Sequence, residues 1–255
     1  MQSLHIFAIN LDRAPDRWAR LSAEIDRLGL TATRFPGVDA AQGAHPTFAR
    51  YDEAASLRRR GVPLMPGELG TFASHFLLWE DIVRTNRPAV ILEDDAGLQP
   101  RFKKAVDLAH QLLPIFGFLR LAALQQGRRP ALVADLGEGF RLVRHNKGPG
   151  GTQAYALAPE GAKRLLRDCE RWFEPVDDHL DAYWRHGQAA LAIEPYQVSH
   201  DDHGQTYAQA QRAAKRTPGQ WLRRKAHRRW DRLLAYSWLA RHPLRDMQHR
   251  LQSQA

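Results

Sequence analysis

Ala89-Val-Ile-Leu-Glu-Asp-Asp95 is the stretch on which the reading of this chain turns. Four apolar residues, two of them β-branched, follow Pro88 and run into three consecutive acids. An apolar run this short, bounded by proline and rich in β-branching, predicts a buried central strand. The acids then fall where the strand leaves its sheet. In open α/β sheets, ligands bind in the crevice outside the carboxyl ends of the strands. Three adjacent carboxylates repel one another unless a positive charge lies between them, and a divalent cation with hard oxygen ligands is the natural candidate. The structural alternative is an acidic turn capping a helix that begins near Pro100.

Upstream, Asn86-Arg-Pro88 links this strand to a strong helix over residues 67–83. There Leu69, Phe72, Phe76, Trp79 and Val83 recur at spacings of three or four. Ser74 and His75 are polar residues inside that apolar pattern, where a histidine is more often a satisfied core residue than a ligand. The start of this helix is expected near the carboxyl end of the strand, which would bring Glu68 close to the acids. Residues 40–66 read as an irregular connection holding one helix near 47–60. Before it, residues 4–10 read as a strand. Pro15 suits the first turn of a helix with Trp18, Leu21, Ile25 and Leu28 on one face, and Gly29 stops it. Residues 31–38 form a second strand ending in Asp39. Strand, helix and strand in this order open an α/β fold. Arg13 and Arg17 lie four apart beside the end of the first strand. Their forks suit phosphate or carboxylate, and Asp12 and Asp16 are local partners if they are only a solvated surface.

Downstream, the pattern predicts a helix over 101–113, a strand over 118–124, a mobile polar loop over 125–139 and a short strand over 140–143. Gly148-Pro-Gly-Gly151 has unusual backbone freedom. A strand over 152–157 and a helix over 159–166 follow, either a plain connection or a surface that holds a small ligand. Glu174-Pro-Val-Asp-Asp-His179 puts two adjacent acids at a helix start, and capping and the helix dipole account for one of them. A late strand over 189–193 precedes His200-Asp-Asp-His203, a pair of imidazoles for a metal or an ordinary polar loop.

At 255 residues the chain can bury a large core, and 44% hydrophobic with 25% charged residues is an ordinary globular balance. No apolar run approaches the ~20 residues of a membrane span, and the first residues lack the layout of a signal peptide. The single cysteine, Cys169, excludes an internal disulfide and a cysteine-based zinc site, so a cytoplasmic setting is expected. The net charge of +9 is not spread evenly. Residues 1–211 carry 25 Lys or Arg against 26 Asp or Glu, while residues 212–255 carry 12 against 2. That break divides a main domain, 1–211, from a basic helical tail, 212–255. As a helix over 221–239, the tail puts Leu222, Ala226, Trp230, Leu233 and Ser237 on one stripe. Arg224, Arg228 and Arg232 form another, flanked by Arg223, Lys225 and Arg229. A basic amphipathic helix carrying tryptophan is expected on an anionic membrane surface. Packing on the main domain and nucleic-acid contact are the alternatives, and the near-neutral body argues against nucleic acid.

Four segments together resemble glycosyltransferase family 25, which includes bacterial lipopolysaccharide and lipooligosaccharide galactosyltransferases. They are Ile9-Asn-Leu-Asp-Arg13 with Pro15 and Arg17; Gly67-Glu-Leu-Gly70 with Ser74-His75 and Trp79; Leu92-Glu-Asp-Asp95; and Thr152-Gln-Ala-Tyr155 followed by Pro175-Val-Asp-Asp178. Thr71 stands where the family often has Cys, Ala14 and Ala158 stand where a capping Ser is usual, and Ala96 replaces a common Val. None of these changes removes a charged group.

The resemblance implies a GT-A-like, Rossmann-type mixed sheet flanked by helices. It implies a UDP-sugar donor, with galactose the expected sugar, and inversion during transfer to a lipid-linked oligosaccharide or other glycan such as lipopolysaccharide. It implies Mn²⁺ or Mg²⁺ held by Glu93, Asp94 and Asp95, with His200 as a late ligand. Arg13 and Arg17 would face the diphosphate and Asn10 and Asp39 the uridine, with Ser74, His75 and Thr152 on the donor side. The base would be Asp177 or Asp178, then Glu68. A peripheral place on the cytoplasmic side of the inner membrane follows from the expected acceptor and tail. The competing functional classes are a metal-dependent phosphoesterase using the same acids and a non-catalytic basic module.

Overall fold

The computed structural model describes residues 4–124, 129–200 and 217–253. Strand β1 (His5–Asn10) leads through helix α1 (Pro15–Arg27) to β2 (Thr33–Pro36). Leu21 and Ile25 of α1 are buried, and Gly29 takes a left-handed φ of 65° just past the helix end. Two 3-10 turns, Ala40–Gln42 and Pro46–Arg50, and helix α2 (Glu53–Arg60) fill the connection to α3 (Pro66–Thr85). Then come β3 (Ala89–Glu93), β4 (Ala96–Leu98), α4 (Phe102–Phe116) and β5 (Phe118–Arg120). A hairpin of β6 (Ala131–Gly137) and β7 (Phe140–Arg144) precedes β8 (Ala154–Leu157) and α5 (Pro159–Arg167). Short helices α6 (Val176–Asp181) and α7 (Tyr183–His186) lead to β9 (Leu191–Glu194) and β10 (Val198–His200). A tail helix, Pro218–Arg241, and a terminal helix, Leu244–Gln252, follow.

The main sheet has the order β2-β1-β3-β8-β5-β9-β7-β6. β2, β1 and β3 are parallel, β8 runs against both β3 and β5, and β9 returns parallel to β5. β1 lies between β2 and β3, so successive connections leave it in opposite directions and open a crevice at its carboxyl end. Asn10 ends β1 there, and Glu93 ends β3 in register with Ile9. A separate two-stranded sheet pairs β4 with β10, placing the His200 backbone opposite Ala96.

The expected central strand is observed, buried on both faces. Val90 and Leu92 join a core with residues of α1, α4 and the tail, whereas Ala89 and Ile91 join a second core with α3 and α5. That split is the period-two alternation of a strand lying between two helical layers. The mixed α/β class and its helix-flanked sheet are therefore as expected.

Two readings change, and the tail takes one of its expected alternatives, packing on the body. Residues 131–137, expected within a mobile loop, form edge strand β6. Glu138 and Gly139 adopt φ of 51° and 78°, the paired left-handed conformations of a tight hairpin turn. The sequence of β6 alternates weakly, and its neighbours hold it: β7, joined to it by the tight turn, and the terminal helix, whose Gln248 Nε2 donates to the Val133 carbonyl at 3.3 Å. The strand expected over 118–124 shortens to Phe118–Arg120. The tail is docked on the body. Ala235, Trp238 and Met247 are buried in the first core, Trp238 packs edge-on against Tyr183, and Arg59 pairs with Asp231 at 2.9 Å. No described helix is long and apolar enough to cross a membrane.

Gly70 shows why the start of α3 carries glycine. A Cβ there would lie 2.4 Å from the Val38 carbonyl oxygen. Ser74 Oγ accepts from the Val38 amide and donates to the Gly70 carbonyl, both at 2.8 Å, which holds the helix against the chain after β2. Gly70→Ala should gain ~1 kcal/mol of helix propensity and lose about 1–3 kcal/mol to the backbone clash. A fall in the urea midpoint is therefore expected. Gly219→Ala, where an added Cβ meets nothing within 4 Å, should leave the midpoint unchanged or raised.

Candidate active site

The three acids at the end of β3 part company. Asp94 turns toward β1 and α1. Its Oδ2 accepts from Asn10 Nδ2 at 2.7 Å, its Oδ1 from Arg17 at 3.3 Å, and its backbone carbonyl from Arg20 at 2.8 Å. Asn10 is further held by Arg34, whose Nε donates to Asn10 Oδ1 at 2.8 Å, and by the Ala14 carbonyl. Asp94 therefore fixes the end of β3 to the end of β1 and to the first turns of α1. Both side chains expected at the ligand, Asn10 and Asp94, are engaged with each other, and they shape the crevice by position.

Glu93 turns the other way, toward α3 and β8. Its Oε1 accepts from Thr152 Oγ1 and lies 3.0 Å from His75 Nε2. His75 Nδ1 lies 2.7 Å from the Tyr155 hydroxyl, and Trp79 Nε1 donates to that same hydroxyl at 2.8 Å. Indole N–H can only donate, so the Tyr155 oxygen accepts from it and sends its own proton to His75 Nδ1. A neutral His75 then carries its hydrogen on Nε2, directed at the Glu93 carboxylate. Burial raises the Tyr155 pKa and keeps this hydroxyl a donor. His75 is thus a satisfied core residue that also orients an acid at the mouth of the sheet.

Asp95 is half-buried in the turn before β4. Among the described residues no group of three or more His, Cys, Asp or Glu is arranged to hold a metal ion. The side chain of His200, and all of His203, lie outside the described residues. The His200 backbone, opposite Ala96, is one residue along from Asp95.

Arg13 pairs with Asp39 at 2.6 Å and Arg17 with Asp94, both guanidiniums remaining at least half exposed toward the crevice. The Ala41 amide and then Arg13 hold the Asp39 carboxyl below its usual range. Ser74 is engaged by the backbone of Val38 and Gly70. Glu68 caps α3, accepting from the Met65 amide at 2.7 Å and from Arg60 at 3.3 Å. Burial raises its pKa, and Asp177 is the acid whose charge adds to that rise.

A cleft of about 620 Å³ is bounded by α2, the loop through Gly148, α6 and the tail helix. Arg120 and Asp181, not singled out in the sequence, build its floor. Buried Arg120 donates to the Gly151 carbonyl and pairs with Asp181 at 2.7 Å, while Asp181 Oδ2 accepts from the Gly150 amide at 3.0 Å. Gly148 is required here because a Cβ would overlap the Asp181 carboxyl. The available signal was an arginine inside an apolar strand, Phe118-Leu-Arg120. Asp178 opens into the cleft, yet protein crowds it. That crowding, then Asp177, Glu174 and Asp181, push its carboxyl well above the usual range. A Cys169–His179–Asp168 row lies nearby, with Sγ to Nε2 at 3.2 Å. Cys169 and His179 are buried, and burial raises the thiol pKa and lowers the imidazole pKa, so the row is packing and not a nucleophile site.

Residues 3–180 match the family described as "Glycosyltransferase family 25 (LPS biosynthesis protein)". This chain belongs to glycosyltransferase family 25. A "Glycosyltransferase 25 family member" of Aedes aegypti is 35% identical over 204 residues, covering 69% of this chain and 30% of that protein. One of Anopheles gambiae is 31% identical over 190 residues, covering 69% and 31%. An "Inactive glycosyltransferase 25 family member 3" of Mus musculus is 29% identical over 195 residues, again covering 69% and 31%. The chain spans about 30% of the length of these curated relatives. Membership supports a glycosyltransferase function. In this family 25 protein the match ends at residue 180, one residue before Asp181 and well before the tail helix that roofs the cleft.

Burial lifts the Asp181 carboxyl from an ordinary 3.8 to about 6, against the lowering pull of Arg120. The folded protein then holds this proton more tightly than the unfolded chain. The stabilisation it gives is full below the ordinary value and is lost as pH rises to about 6. Compared with Asp181→Asn, the wild-type protein should lose relative stability between pH about 4 and 6 and change little above 7. Urea midpoints of the two proteins across that range test it. A constant difference from pH 4 to 6 would show that Asp181 titrates normally.

Proposed function

We propose that this chain is an inverting, metal-dependent hexosyltransferase with a GT-A-like fold. It moves galactose from UDP-galactose to a lipopolysaccharide or related lipid-linked glycan, on the cytoplasmic face of the inner membrane. The observation that carries the reading is the Asn10–Asp94–Arg17 contact. It brings two separate family motifs together at the mouth of the parallel strands, where α/β folds bind nucleotides.

Departure of UDP builds negative charge on phosphate oxygens. Arg13 and Arg17, anchored by Asp39 and Asp94 yet exposed, supply fixed positive charge to it. Asp95 and His200 would hold Mn²⁺ or Mg²⁺, with Glu93 beside them oriented by His75 and Thr152. When bound, such a cation acts as a Lewis acid on the diphosphate. In the cleft the acceptor hydroxyl would lose its proton. Asp178 is the favoured base, because it opens into the cleft and its pKa is raised in the direction a base working near neutral pH needs. Asp177 and Glu68 lie behind it. Leu222, Trp230 and Leu233, exposed by 65, 58 and 61%, line the outer face of the tail helix beside Arg223 and Arg229. That face suits an anionic lipid surface.

Because some relatives are named inactive, the assay addresses turnover as well as binding. UDP-galactose with Mn²⁺ at a hundred times Kd should raise Tm by about 5–10 °C. Asp95→Ala should lose the Mn²⁺-dependent part of that shift and all transfer or hydrolysis of UDP-galactose. Full turnover by Asp95→Ala would overturn the metal assignment. Absence of both binding and turnover with every UDP-hexose would overturn the transferase reading.

A further inference from the structure

The tail helix presents one face to the cleft, through Arg224, His227, Arg228, Asp231, Arg232 and Ala235. These recur at spacings of three or four, as a single helical face does. Among the described residues, eight Arg or Lys side chains and four Asp or Glu line the cleft. Three of the four acids already have arginine partners. Asp231 pairs with Arg59 at 2.9 Å, Glu174 with Arg185, and Asp181 with Arg120 at 2.7 Å from beneath. Arg129, Arg228 and Arg232 are exposed, and among the described residues they have no carboxylate within 4.0 Å. Arg228 and Arg232 lie on the tail, while Arg129 lies on the main body. Like charges from two separate elements thus converge on one enclosed space above an acidic floor. Without a ligand that arrangement is repulsive, and the low-dielectric walls strengthen its field.

We propose that this cleft is the acceptor site and that it selects glycans carrying an anionic substituent, a phosphate or a carboxylate, near the hydroxyl to be glycosylated. The proposal rests on the transferase reading and names its acceptor class. Guanidinium forks match both oxyanions in geometry. The donor diphosphate has its own arginines, Arg13 and Arg17, at the end of β1. A volume of about 620 Å³ accommodates a ligand of sugar size or somewhat larger. With the anion on Arg129, Arg228 and Arg232, a neighbouring hydroxyl faces Asp178 on the floor. The tail therefore supplies acceptor selectivity to a transferase body whose family match does not include it.

Binding of three probes to the full chain tests this by calorimetry: glucose 6-phosphate, glucuronate and glucose. The wild-type protein should bind at least one of the charged sugars tenfold or more tightly than glucose, and the preferred one identifies phosphate or carboxylate as the source. Arg228→Glu with Arg232→Glu should abolish that preference, Arg129→Glu should weaken it, and UDP-galactose binding with Mn²⁺ should stay unchanged in all. Arg228→Gln with Arg232→Gln, a milder change at exposed positions, should show the same loss with an unaltered urea midpoint. Equal binding of the three sugars, or a preference that survives all these variants, overturns the proposal. So does a loss of UDP-galactose affinity in the variants, because the cleft would then belong to the donor. If the wild-type chain binds no UDP-sugar, the transferase reading fails by itself, separately from the anion result.

Discussion

The carboxylate of Asp94 ties together three pieces of chain at the mouth of the sheet. Asn10 closes β1, Arg17 belongs to the first turns of α1, and Asp94 follows β3, 84 residues beyond Asn10. Apolar packing alone fixes the sheet and the helical layers but does not fix how the strand ends face one another, because the hydrophobic effect is non-directional. A largely buried carboxylate with an amide donor on one oxygen and a guanidinium on the other supplies that direction. Charge-assisted hydrogen bonds of this kind are roughly twice as strong as neutral ones, and breaking one leaves a charge without its partner. The crevice at the end of β1 therefore has a defined shape before any ligand arrives.

The same logic runs through the opposite face of the sheet. Trp79, Tyr155, His75, Glu93 and Thr152 form one chain of hydrogen bonds from the interior of α3 to the mouth of the sheet. Low-dielectric surroundings make each bond stronger and each unsatisfied member costlier, so such a chain tolerates little rearrangement. It gives Glu93 one orientation, just as Asn10 and Arg17 give Asp94 another. Adjacent acids in the sequence thus perform separate tasks because the strand sends them to opposite faces. Only Asp95, past the end of the strand, is left at the turn itself.

The parallel half of the fold was legible in the sequence because its signals are local. The central strand, the long helix with its three-or-four spacing and the Gly29 stop all depend on neighbours within one or two turns of chain. The motif residues were legible as a set, but their roles were not. Ser74 and His75 turn out to hold backbone and acid, because hydrogen-bond partners 18 to 80 residues away cannot be read from spacing, while Glu68 caps its own helix through the nearby Met65 amide. Edge strand β6 escaped because its own alternation is weak, and one of its supports lies in a terminal helix over 100 residues downstream. Arg120 and Asp181 were missed because a buried ion pair leaves no periodic trace.

The tail shows how two sequence alternatives can coexist. Packing on the body and lying on a membrane were weighed as competitors, since one apolar stripe cannot serve both. This helix keeps its packing residues apart from its exposed apolar ones. Ala235 and Trp238 enter the core, Arg59 grips Asp231, and Arg228 and Arg232 overhang the cleft. Leu222, Trp230 and Leu233 stay exposed on the far side. At 100° per residue, the stripe through residues 222, 226, 230 and 233 lies roughly opposite the one through 224, 228, 231 and 235. Docking on the body therefore uses none of the exposed apolar side chains, and the lipid contact proposed above would leave the roof of the cleft in place.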